Sequence, residues 1–145
     1  MDAFEYLESD GRRIADHLQS LAENYSNWSR DRVFQESKNA IEAVEKFIHK
    51  KEDVVTLSFH KRSQDIDDMQ AKFEDKRASI DELIEDMVMI HVDEPGYEQS
   101  LERLRTKFVD LLRFCNEEFY PAIKEAVSKE ELESMNRQLD SLIFS

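Results

Sequence analysis

The sequence predicts an all-α protein: an up-down-up-down four-helix bundle with a short C-terminal helix, built as a single domain over residues 1–145. Three observations predict it. Apolar residues recur at spacings of three and four along four long segments, the period of a helix with one buried face. The connections between these segments are short, as in antiparallel bundles. Two glycines and two prolines in 145 residues leave little turn chemistry for a β architecture.

The first helix is expected over Ala3 to Glu23, with Leu7, Ile14, Leu18 and Leu21 inward. Gly11 falls in that stripe, where glycine costs about 1 kcal/mol against alanine and, after Asp10, could mark a break. A loop at 24–29 holds Trp28, which can close the end of the core. The second helix runs from Asp31 to Leu57 with Ser29 as its cap. Its stripe reads Phe34, Ile41, Val44, Phe47/Ile48, Lys51 and Val55.

Ser63 opens the third helix, which carries Ile66, Met69, Phe73, Lys76, Ile80, Leu83/Ile84, Met87 and Ile90 on one side. A loop follows at 91–96, and Asp93 or Glu94 before Pro95 is a start signal for the fourth helix. That helix presents Leu101, Leu104, Phe108, Leu111/Leu112, Cys115 and Glu118/Phe119, with Pro121 expected to kink or shorten it. Ser128-x-x-Glu131 is a capping box opening the last helix, with Leu132, Met135, Leu139 and Leu142.

Composition narrows the function. A formal net charge of -13 repels phosphate backbones, so nucleic acid is not the expected partner. The apolar stretches fall far short of the roughly 20 residues that span a bilayer. The acidic N-terminus lacks an apolar signal core, and a cytoplasmic location is expected. One cysteine, Cys115, leaves no intramolecular disulfide and no paired-cysteine metal motif.

Several polar residues invite chemistry. His17, His49, Glu52 and His91 are the candidate metal ligands, because helical bundles hold iron with inward histidines and carboxylates. Glu45, His49 and Glu52 share a helix face by spacing, though charge-rich helices commonly show such a pattern. Each histidine is otherwise an ordinary border or end residue. Lys51 and Lys76 interrupt apolar stripes. A buried ammonium needs a partner; the choices are snorkelling to a seam, an internal ion pair with Asp10 or Glu118, or a reactive amine. Cys115 is either a small buried hydrophobe or a thiolate activated by a nearby lysine.

Leu7-Glu-Ser-Asp10-Gly11-Arg-Arg-Ile14 is similar to the L-x-x-D-H-x-x-I opening of the hemerythrin-like family, the HHE cation-binding domain. Glu117-Glu118-Phe119-Tyr120-Pro121-Ala122-Ile123, then Ser128-Lys-Glu-Glu-Leu132, resembles that family's H-x-x-x-E-E-x-x-L-F-P-x-L ending followed by L-S-x-E-E-L. The stretch from Ala40 to Leu57 resembles its second-helix motif more faintly. The resemblance implies a bundle around a two-iron site, yet the ligand positions fall on Gly11, Phe47, Lys51, Lys76, Leu111 and Cys115. Phenylalanine and leucine do not bind metal, and protonated lysine has no lone pair to offer. Apolar volume and positive charge would stand where iron stood, with Asp10 or Glu118 as internal pairing partners.

Three functions follow as expectations. The first is a non-catalytic bundle without cofactor that engages a protein partner, as monomer or homodimer, with Trp28, Leu139, Leu142 and Phe144 as contact candidates. The second is an iron protein with a relocated or incomplete site at His17, His49, Glu52 and His91. The third is a redox or small-molecule sensor using Cys115 beside a cavity near Gly11.

Overall fold

The computed structural model describes residues 1–144 and is an all-α bundle. Helix α1 spans Ala3–Asn24. Helix α2 comprises Arg30–Lys46, a wide turn at Phe47–Lys51 and Glu52–Thr56. Helix α3 is Gln64–Val88. Helix α4 comprises Tyr97–Phe114, a second wide turn at Cys115–Phe119 and Tyr120–Ala126. Helix α5, Lys129–Phe144, closes the order.

Contacts pair high numbers with low along every neighbouring pair of the four long helices, so each pair is antiparallel. Asp10 meets Lys51 while His17 meets Glu36 across α1 and α2. Asp53 meets Arg77 and His49 meets Asp81 across α2 and α3. Lys76 meets Asp110 and Ser79 meets Lys107 across α3 and α4. Phe4 packs on Tyr120, and Gly11 lies against Leu112, across α4 and α1.

The helix starts are chemical. Asp2, Ser29 and Ser63 accept from the amides of Glu5, Arg32 and Ile66, each satisfying an otherwise orphaned donor. Ser128 and Glu131 form the reciprocal capping box, at 3.1 and 3.0 Å. The expected start at Asp93 or Glu94 is displaced. Gly96 is the cap residue of α4, at φ 94°, a left-handed conformation that suits glycine.

Pro121 neither ends nor interrupts α4 as a whole. The turn before it widens, and the Tyr120 amide reaches the Cys115 carbonyl five residues back. That widening falls where a proline ring crowds the preceding turn, and the helix continues to Ala126. Gly11 does not break α1. A Cβ there would stand 2.6 Å from Leu112 Cδ2 and 3.2 Å from Phe47 Cζ, so its missing side chain lets α1 and α4 approach.

The core is continuous from Leu7, Ile14 and Leu18 of α1 to Phe73 and Ile80 of α3 and Phe108 of α4. Phe34 departs from its expected inward place: Val33 is buried instead, and Phe34 is 50% exposed. The stripe of α2 therefore starts at Val33 and continues through Ser37, Ala40 and Val44. Helix α5 packs against α1 and the second half of α2. Its Asn136 side chain accepts the Ala3 amide at 2.7 Å, and Glu131 accepts the His60 amide at 2.8 Å. Among the described residues, no helix is long and apolar enough to cross a membrane.

Candidate functional site

Two buried polar clusters lie where α2 faces α1 and α4. The wide turn in α2 ends at Lys51, and the Glu52 amide bonds the Phe47 carbonyl five residues back. An extra residue in a turn shifts the phase of everything after it. Lys51 and Glu52 are consecutive, and both are buried, at 9% and 0% exposure.

Lys51 donates to Asp10 Oδ2 at 2.8 Å and to the Tyr6 hydroxyl at 2.8 Å. Arg13 holds the other oxygen, Asp10 Oδ1, at 2.8 Å. Burial pulls the ammonium toward its neutral form, but the bonds to Asp10 and Tyr6 outweigh it and raise the Lys51 pKa above its ordinary value. The group stays charged, which argues against a reactive amine. The expected pairing of this lysine with Asp10 is present in the structure. Glu118 takes no part, because it lies on the exposed side of α4.

Glu52 Oε2 accepts from the Tyr120 hydroxyl and, at 3.3 Å, from the Cys115 thiol. Its second oxygen, Oε1, has no protein partner among the described residues. Burial raises the Glu52 pKa to about 7, against the bonds from Tyr120 and Cys115 that pull it down. Burial and then the neighbouring Glu52 push the Cys115 pKa well above that of a free thiol. Lys76 opposes this only weakly. It sits half-exposed at the α3–α4 seam, 2.7 Å from Asp110, with its ammonium 5.6 Å from the Phe114 ring centre. Cys115 is therefore a protonated, fully buried thiol, without the activation a redox sensor needs.

The other sequence candidates separate. His17 pairs with Glu36 and His49 with Asp81, both across seams of the bundle, while His91 contacts Asp93 in the α3–α4 loop. Glu52 faces none of them. Among the described residues no three of His, Cys, Asp or Glu are placed to hold a metal ion.

At the positions the resemblance assigns to iron ligands, Gly11 is closed over by Leu112 and Phe47. Phe47 meets the Phe108 ring edge-on at 5.5 Å, and both rings and Leu111 are fully buried. These residues do not fit a two-iron centre: Cys115 is the one with a metal-binding atom in its ordinary state, and that atom bonds Glu52. The space beside Gly11 is taken up by the Leu112 and Phe47 side chains.

Sequence reasoning reached Lys51 and Asp10 but not the joining of Glu52 to Tyr120 and Cys115. Regular periodicity groups Glu52 with Glu45 and His49 on one face of the helix. Of the expected contact residues, Leu139 is buried, Leu142 is half-buried, Phe144 is 80% exposed, and half-buried Trp28 lies under the Arg32 guanidinium at 3.9 Å. Comparison with protein-family models, curated proteins and solved structures returns no significant match.

Proposed function

We propose that this chain is a metal-free, non-catalytic bundle that serves as a protein-interaction or regulatory module in the cytoplasm. It resembles the hemerythrin-like domain, with the metal positions given over to packing and to two lysines, Lys51 and Lys76. One observation carries the reading: Gly11, Phe47, Phe108 and Leu112 fill the space between α1, α2 and α4 with apolar contacts. Lys51 supplies charge to Asp10 there without a metal. An excess of carboxylates over the surface, net -13, suits a cationic partner and disfavours nucleic acid.

The test is elemental analysis of untagged protein, produced with added iron and purified without chelator, with thermal melts before and after EDTA. Substoichiometric metal and an unchanged melt are expected. A stoichiometric pair of iron ions, lost with a fall in melting temperature on chelation, overturns the reading.

A further inference from the structure

We infer that the groove between α2 and the C-terminal end of α3 docks a basic amphipathic helix of a partner protein; this rests on the interaction-module reading and names its surface. The groove encloses about 580 Å³, within the range of pockets that hold ligand groups. Its floor includes Ile41 and Met87, both buried. Its lip is Phe34, Val88 and Met89, exposed at 50%, 65% and 83%. These are three of the six large hydrophobics strongly exposed among the described residues, gathered at one place. Scattered exposed apolar residues are ordinary, but a contiguous apolar lip with a polar rim marks an interaction surface.

Geometry and charge choose the occupant. Phe34 and Ile41 are seven residues apart on α2, about 10 Å along its axis, which matches anchors spaced by two turns on a docked helix. Met87 and Met89 have flexible thioethers that adapt to such anchors. The rim carries Glu42, Glu45 and Glu94 against Lys38. All three carboxylates are exposed, and none has an ion-pair partner among the described residues. They are free to receive lysine or arginine flanking the apolar anchors. A second copy of this chain would instead bring its own net charge of -13 to an acidic rim.

The probe is a fluorescein-labelled peptide of leucine and lysine in amphipathic helical register, with a leucine–glutamate peptide as control. Binding is read by anisotropy at physiological salt and mapped by amide chemical shifts. The lysine peptide is expected to bind, the glutamate peptide not, with shifts centred on 34–45 and 87–94. Phe34→Ser with Met89→Ser, both on the surface, should weaken binding at least about tenfold with helicity unchanged. Glu42→Gln with Glu45→Gln should weaken it and flatten its salt dependence.

Absence of binding overturns the inference. Binding that maps elsewhere and ignores the groove substitutions overturns the groove while leaving the module reading in place. A dimer in light scattering that Phe34→Ser dissociates assigns the groove to a second copy and also overturns the inference. Failure of the module reading itself would show separately, as stoichiometric iron.

Discussion

Lys51 and Glu52 are adjacent in the chain, yet each is buried against a different helix: Lys51 on Asp10 of α1, Glu52 on Tyr120 of α4. The wide turn that ends between them lets one strand of backbone serve both faces. The two sites differ in chemical state. One is an ion pair held by charge; the other is a carboxyl that burial drives toward its neutral form.

Removing one half of the ion pair should cost more than removing both. Lys51→Met leaves Asp10 buried, with only the exposed Arg13 arm as its cation. The expected loss is about 3 kcal/mol, and Lys51→Met with Asp10→Leu should recover most of it. Urea denaturation of the two singles and the double gives the coupling. A double substitution as damaging as the sum of the singles would contradict this account.

Glu52 predicts a pH dependence with a definite sign. Its folded pKa is about 7, above the ordinary 4.5. Below 4.5 both folded and unfolded chains are protonated at this group, and it costs nothing. Between 4.5 and 7 the unfolded chain releases the proton first, so stability falls as pH rises; above 7 the loss levels off. The full amplitude is up to roughly 3 kcal/mol. Glu52→Gln, which still offers Tyr120 an acceptor, should remove that slope and exceed the native chain in stability at pH 8. Denaturation midpoints at pH 5 and pH 8 measure the difference between the two proteins. Parallel curves would show that Glu52 does not titrate in this window.

Gly11→Ala should destabilise by about 1 kcal/mol. Alanine gains about 1 kcal/mol of helix propensity over glycine, but overpacking costs about 1–3 kcal/mol. Leu112 is half-buried and can turn aside. Phe47, fully buried against Phe108, cannot. Gly11→His, which restores the residue type of the resembling family, should cost several times more and confer no iron binding. Equilibrium denaturation checks the first, and elemental analysis the second. A stabilised alanine variant would reveal slack between α1 and α4.

Cys115 should be silent to a thiol reagent in the native protein and label fully in denaturant. It is fully buried, and its pKa is raised by burial and by Glu52. Under slow labelling the native-state rate should follow global unfolding across a urea series. Fast labelling without denaturant would restore the sensor reading.

How much of this could be read in advance depended on regular periodicity. The stripes of α1, α3 and α4, the caps at Ser29 and Ser63 and the box at Ser128 follow from local chemistry, and all are present. Lys51 stood out as a cation within an apolar run. Glu52 did not, because a uniform helix carries no sign of a widened turn. Pro121 was the visible hint for the matching turn in α4, but α2 has no proline to flag its own. Phe34 lies at helical spacing from Ile41 and Ile48 yet faces out, because the buried face at the start of α2 runs through Val33, Ser37 and Ala40 instead. His17, His49 and His91 offered metal chemistry by type, and three separate acidic neighbours claim them.

The position of α5 has a consequence in time. During synthesis, α1 through α4 leave the ribosome before the helix that packs on segment 52–56 and whose Asn136 ties down Ala3. Until residues 129–144 emerge, the nascent bundle keeps that flank in water. Segment 52–56 and the start of α1 are thus the last parts of the bundle to be covered.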